Sequence, residues 1–389
     1  MAIAHAALRR RFDVRTYVDR VIDDLRLVVP EFPELDTRDP IAFRSSIKAH
    51  LEEAVASQSL SVTYFAALRQ VEACVSKLPA WGAVTDEVRR QRALDKFQLS
   101  ERRCAIVNRR ARWYRSHESR LRPVLRNVFA KTKLLLWQFL GDPLAFDDFT
   151  ECKFGPGLAY GMSSEERHIY YKVSGDQTVT PEARKFALEV LSKLYPNWMQ
   201  HLAASGKTLT VIPGNRITFV PKSAETFRTI AVEPSLNVFL QAGVDRVMRY
   251  RLREWGLRLN DQDYSVSAME RLARQRDCAT IDLSAASDSV AFEVVQWLFP
   301  AEWVAVLNAI RSPMYTLDKG KTWTSYEKFS SMGNGTTFPL ESALFYALAQ
   351  ACTQIAGGSK QNIRVYGDDI VVEKRTAGLL IEALSFLGF

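Results

Sequence analysis

The stretch "IRVYGDDIVV", residues 363–372, sets two neighbouring aspartates inside an apolar run. Ile363, Val365, Ile370, Val371 and Val372 favour extended backbone, because branched side chains pack well on a pleated surface. Gly367, Asp368 and Asp369 favour a turn. Together they predict a β-hairpin with two carboxylates at its tip. Adjacent negative charges repel, so this tip needs a cation or water to take up its field.

Upstream, "ATIDLSAASDS" ends an apolar strand pattern on Asp282. Alone, such an aspartate reads as an N-cap or Asx turn for the next helix. With Asp368 and Asp369 on a second strand end, it also becomes a candidate ligand for a hard cation. Magnesium prefers carboxylate oxygens and keeps water or phosphate as its other ligands. Two such ions roughly 3.5–4 Å apart stabilise both the attacking and the leaving oxygen in phosphoryl transfer. Gly333, Asn334 and Gly335 precede a helical stripe of Leu340, Ala343, Leu344, Ala347, Leu348 and Ala351. They read either as an ordinary turn or as a flexible loop whose backbone N–H groups meet a template or nucleotide. Lys222 and Arg228, six apart in "VPKSAETFRTIAVEP", share a face of an extended segment. They read as exposed surface charge or as a grip on a triphosphate.

The 389 residues exceed one ordinary core, and 47% hydrophobic with 25% charged residues suits a globular chain. No apolar run reaches membrane-spanning length, and the first twenty residues lack a secretory pattern. Five scattered cysteines without a CxxC argue against disulfides or zinc and fit a reducing cytoplasm. No histidine follows His201, so chemistry in the C-terminal third does not use one. The net charge of +8 hints at a polyanionic partner. Between Arg102 and Lys133 the basic residues include Arg109, Arg110, Arg112 and Arg115, with Trp113 and Tyr114 among them, against only Glu118. This is either a solvated helix face or a phosphate-tracking groove with aromatics for stacking.

Periodicity predicts a mostly helical region over 1–140, then a Gly/Pro-rich loop "ECKFGPGLAYGMSS" over 151–164 and helix over 182–204. "LTVI" and "RITFV" read as strands joined through Pro213-Gly214-Asn215 in a hairpin, followed by "FRTIAVE" and a helix over about 235–256. The last third runs strand, helix, helix, hairpin, helix, an α+β order. Thr376 is the expected N-cap of the final helix and Gly388 its C′ residue. The division expected is 1–140 as an N-terminal helical part of fingers, 141–270 as fingers with part of a palm, and 271–389 as the palm.

"TIDLSAASDS", "SSMGNGTTFPLES" and "VYGDDIVV", in that order, resemble motifs A, B and C of RNA-dependent RNA polymerases. Their wording is similar to that of the replicase catalytic subunit of positive-strand RNA bacteriophages, the leviviruses of the Q-beta and MS2 kind. "RITFVPKSAETFRTIAVEP" resembles the same family's motif F, and "FGPG" at 154–157 and "LNDQ" at 259–262 share its flavour. The likeness covers about residues 150–389. It implies a right-hand fold of fingers and palm, and template-directed transfer of nucleotides from NTPs to an RNA 3′ end. It implies two Mg2+ ions, replaceable by Mn2+, on Asp282, Asp368 and Asp369, with the Leu283 carbonyl assisting. Asp368 would be the main motif C ligand and Asp369 the supporting one. Asp288 corresponds to the acid that senses the ribose 2′-OH. Ser331, Gly333 and Asn334 would contact nucleotide or template, and Lys222 and Arg228 the triphosphate. The family's later motif B asparagine is replaced here by Glu341 and Ser342, which leaves the helper of Asp288 open. Implied partners are template and product RNA, NTPs, host translation elongation factors and a ribosomal protein. The implied location is the cytoplasm of a bacterial host, away from any membrane.

Two rivals remain. A reverse transcriptase would carry an aromatic residue soon after Asp282, where Leu283, Ser284, Ala285, Ala286 and Ser287 instead leave room for a ribose. A non-catalytic RNA-binding protein with a polymerase shell would not need all three carboxylates. The sequence stops at Phe389, one residue past Gly388, where the family continues into a further strand, a primer-gripping hairpin and a thumb. The expectation is that the thumb is largely missing from this chain, and that the chain alone polymerises poorly.

Overall fold

Apolar residues at helical spacing drive the first helices of the computed structural model, which describes residues 14–57, 61–76, 84–275 and 277–389. Contacts divide the chain into two units, residues 1–96 with 219–229, and residues 97–218 with 230–389. In the first unit α1 (Val14–Val28), α2 (Pro40–Ala56) and α3 (Val62–Ser76) bury Val18, Ile22, Phe43, Ile47, Leu68 and Val71 against one another. Asp39 starts α2 by accepting from the Ile41 and Ala42 amides, with Pro40 at the first helical position. The segment 219–229 closes this unit: the Ala224 amide donates to the Ser76 carbonyl (2.9 Å), and Arg44 pairs with Glu225 (2.8 Å). Helix α4 (Asp86–Ser116) begins in the first unit and continues into the second.

The second unit continues through α5 (Pro123–Leu140), α6 (Ile169–Ser174) and β1 (Gln177–Val179). The helical stretch after β1 is two helices, α7 (Pro181–Leu194) and α8 (Pro196–Ala204), because Pro196 cannot continue the hydrogen-bond ladder. Strand β2 (Leu209–Val211) does not form the expected hairpin with β3 (Gly214–Pro221). It pairs parallel with β1, and β3 pairs instead with β6 (Met314–Thr316). Pro213-Gly214 is therefore a crossing between sheets. Gly214 is required because a Cβ there would strike the Met314 backbone of the neighbouring strand. Strand β4 (Phe227–Val232), β3, β6 and β7 (Thr324–Ser325) form one sheet in that order.

Helices α9 (Ser235–Glu254) and α10 (Gln262–Ala273) lead to β5 (Cys278–Asp282). Then follow the short α11 (Ala286–Ser289), α12 (Phe292–Leu298) and α13 (Ala301–Ile310). Helix α14 (Thr337–Ile355) is buried on all sides; Leu340, Ala343, Leu344, Phe345, Ala347 and Leu348 expose nothing. Such a helix is stabilised by packing, mainly against α5 and α15 (Lys374–Leu387), rather than by amphipathic patterning. The hairpin of β8 (Arg364–Tyr366) and β9 (Asp369–Glu373) joins β5 in a three-stranded antiparallel sheet ordered β5-β9-β8. Helix α15 starts two residues before Thr376. Glu373 occupies the cap position, while the Lys374 amide bonds the Asp277 carbonyl and Thr376 is fully buried. Gly388 ends it in the left-handed conformation, as expected. The fold is a helix-rich α+β class. No helix among the described residues is long and apolar enough to cross a membrane.

Candidate active site

The register of the small sheet brings the acids together. In the β5–β9 ladder Asp282 lies directly opposite Asp369, and in the β8–β9 ladder Tyr366 lies opposite the same residue. Gly367 and Asp368 are thus the two residues of a tight turn, and Gly367 takes the positive φ of 59° that such a turn demands. Directly opposed residues lie about 4.5–5.5 Å apart between Cα atoms. Three exposed carboxylates therefore crown one end of a sheet whose next rungs, Ile370, Val371 and Val372, are buried. Burial, then the charges of Asp368 and Asp282, hold the Asp369 carboxyl above its ordinary range. Among the described residues no three acid, histidine or cysteine side chains are arranged around a point that would hold a metal ion. Leu283, next in the chain, is buried.

Helix α14 supports this crown. Ser342 Oγ accepts the Gly367 amide (3.2 Å) and donates to the Phe338 carbonyl (2.8 Å), tying the turn to the helix. Glu341 accepts from Ser287 Oγ (2.8 Å). Its burial, with Asp368 and Asp288 adding repulsion, pushes its carboxyl up to about 8. Between Asp282 and Asp288 the chain passes through Ala285 at φ 55°, a left-handed conformation that costs a residue with a Cβ roughly 1–2 kcal/mol. Asp288 is held by Lys328, whose Nζ donates to Oδ1 at 2.7 Å.

The glycine loop, which the sequence left open between an ordinary turn and a flexible loop, is pinned. Gly333 sits at φ 116° against β4, where a Cβ would run into the Ala231 carbonyl oxygen. The Ala231 amide donates to the Met332 carbonyl (2.7 Å), and Gln241 Oε1 accepts the Gly335 amide (3.1 Å). Ser331 and Asn334 turn inward: Ser331 Oγ donates to Tyr326 (3.1 Å), and Asn334 Oδ1 accepts from the Thr336 amide (2.9 Å). The buried Asn334 amide nitrogen has no hydrogen-bond partner among the described residues. Gly333 and Gly335 are exposed. Beneath the loop, fully buried Glu233 accepts from Asn215 (2.8 Å) and Ser312 (2.6 Å), and Tyr326 donates to Asn215 (2.8 Å).

A family profile described as "RNA replicase, beta-chain" matches residues 34–389. The chain belongs to the RNA replicase beta-chain family. It is 34% identical over 302 residues to the RNA-directed RNA polymerase subunit beta of Enterobacteria phage SP, covering 76% of this chain and 50% of that one. To the subunit beta of Escherichia virus Qbeta it is 33% identical over 300 residues, 76% and 49% of the two chains. To the RNA-directed RNA polymerase beta chain of Escherichia phage MS2 it is 38% identical over 247 residues, 62% and 44%. The chain spans about half the length of these curated relatives.

In this replicase-family chain the expected basic residues divide between environments. Lys222 and Arg228 are exposed on the β3–β4 connection and β4, within the first unit. Of the α4 arginines, Arg112 and Arg115 both pair with the buried carboxylate of Glu293, at 2.9 and 3.1 Å. Arg110 lies over the Phe386 ring, 4.9 Å from its centre, and Arg109 is exposed. Sequence reasoning missed Lys328 and Glu101. A single lysine in "SYEKFSS" and a glutamate in the basic helix carry no signal of burial, since their partners lie 40 to more than 200 positions away.

Proposed function

We propose that this chain carries the polymerising centre of an RNA-directed RNA polymerase, with a palm around β5, β8 and β9 and parts of the fingers in the remainder. It would extend an RNA 3′ end from NTPs on an RNA template, in the cytoplasm of an infected bacterium. The observation that carries the reading is the ladder pairing of Asp282 with Asp369 beside the Asp368 turn. Two strand ends presenting three hard-oxygen donors, one of them held above its ordinary range by burial and then by its neighbours' charges, fit magnesium or manganese. Asp282, Asp368 and Asp369, with the Leu283 carbonyl, would hold it. Bound there, the ions supply a lowered pKa for the attacking hydroxyl and charge neutralisation for the leaving pyrophosphate.

The chain's own groups do the rest. Ser342 fixes the Gly367 amide and so the angle of the acid-bearing turn. The exposed backbone at Gly333 and Gly335 offers a close-approach surface for a nucleotide or template, while Ser331 and Asn334 act from beneath as its scaffold. Asp288 would accept the ribose 2′-OH, and the small residues from Ser284 to Ser287 leave room for it, which favours an RNA over a DNA product. Lys222 and Arg228 would neutralise the triphosphate. Arg109 and Arg110 would follow RNA phosphates; in Arg112 and Arg115 that charge is shared with Glu293. Host translation factors and a ribosomal protein would complete the enzyme, by likeness to the family.

The test is primer extension by the assembled replicase carrying Asp368→Asn. Loss of a charged ligand at the reacting centre should lower the rate by about three decades or more while the melting temperature holds. Extension at near wild-type rate would remove the assignment.

A further inference from the structure

The second acid of the motif A turn has a partner that family likeness did not supply. Lys328 is completely buried, yet its ammonium is close to two carboxylates and two aromatic rings. Nζ donates to Asp288 Oδ1 at 2.7 Å and lies 3.5 Å from Glu101 Oε1. It also lies 3.9 Å from the centre of the Phe97 ring and 5.5 Å from that of Tyr326. A lysine removed from water requires a carboxylate partner and gains from aromatic faces, and this one has both.

The two acids are not equivalent. Glu101 is buried on α4, and its Oε2 accepts the Glu327 amide at 2.7 Å, next in the chain to Lys328. Its Oε1 completes no hydrogen bond, and burial holds the carboxyl above its ordinary range. The short bond goes to Asp288. That side chain keeps 21% exposure, and among the described residues its Oδ2 takes no donor. One carboxylate oxygen is therefore anchored from within, and the other is left to the open side.

We propose that Lys328 is the positioning residue for ribose selection, anchoring Asp288 from inside so that its free oxygen faces the 2′-OH of the incoming nucleotide. This rests on the reading of Asp288 given above. Glu101 fixes the lysine's chain segment, and the Phe97 and Tyr326 rings hold the ammonium on the Asp288 side.

The experiment is single-nucleotide incorporation by the assembled replicase, comparing kcat/KM for an NTP with that for its dNTP on the same preparation. That ratio does not depend on the fraction of enzyme that has folded. Lys328→Met should lower the NTP-over-dNTP ratio by about ten- to a hundredfold, the worth of a hydrogen bond to a charged group. The loss should lie in KM for the NTP, with dNTP incorporation nearly unchanged. Asp288→Ala should do the same, and Asp288→Ala with Lys328→Met should be no worse than Asp288→Ala alone. Should Lys328→Met not fold, Lys328→Met with Glu101→Gln removes the lysine and one of its two acids together. A ratio unchanged by the lysine substitutions but collapsed by Asp288→Ala overturns the role of Lys328 and leaves ribose sensing standing. A ratio unchanged by Asp288→Ala overturns both. Equal losses with NTP and dNTP would mark Lys328 as structural only and overturn the proposal.

Discussion

Glu341 is a carboxyl group that the folded chain keeps protonated far above the ordinary carboxylate range. Its value of about 8 arises first from burial, then from Asp368 and Asp288 nearby. In the unfolded chain a glutamate releases its proton near pH 4.3. Below that pH both states hold the proton and stability is unaffected. As pH rises from about 4 to about 8 only the unfolded state releases it, so stability falls, and above about 8 the loss is complete. Glu341→Gln keeps an acceptor for Ser287 and removes the titration. In chelator-treated protein, the melting temperature of the wild type should drop relative to the variant between pH 5 and 8. Parallel curves would contradict the assignment. Single residues were legible in the sequence where a strand end exposes them: Asp282, Asp368 and Asp369 lie where their local patterns put them. Lys328 was not, because its burial is decided by α4 and the motif A turn, far away in the chain.

At the scale of elements, the glycine loop is held tightly against β4. Gly333 combines a positive φ with contact against the Ala231 carbonyl. Gly333→Ala should cost about 1–3 kcal/mol in strain alone. It should also shift the loop off β4 and slow nucleotide addition more than it weakens RNA binding. Calorimetry and single-turnover kinetics check the two parts, and an unchanged melting temperature would show that the loop is not pinned. The β8–β9 hairpin and α14 were readable because their signals are local: turn residues between branched apolar runs, and an unbroken apolar helix. The expected β2–β3 hairpin failed because parallel pairing with β1 and β6 is set by residues about 30 and 100 positions away. The early start of α15 was hidden for a similar reason. Glu373 Oε1 is engaged with the Ser359 amide and Asn362, which fixes where β9 stops.

Across the whole molecule a charge of +8 would make the proposed RNA binding salt-sensitive, with some arginines contributing and others not. Arg109→Ala should reduce the slope of log affinity against log salt by about 0.7 for one lost single-strand phosphate contact. Arg112→Ala should leave that slope nearly unchanged and instead lower stability, since Glu293 would lose one of its two partners in a buried place. Filter binding across a salt series, beside thermal melts, separates the two; equal slopes for Arg109→Ala and wild type would count against RNA contact. The charge run itself was legible, but its division into free and paired arginines was not, because Glu293 lies about 180 residues downstream. The unit made of residues 1–96 and 219–229 also has a consequence for synthesis on the ribosome. Its first helices emerge early, but the segment that bonds the Ser76 carbonyl and pairs with Arg44 is translated more than 120 residues later. At about 5–20 residues per second the nascent chain must wait roughly 6–25 seconds with that unit unclosed. During those seconds it is an unfinished fold, open to chaperones and proteases, on a messenger that is itself being read.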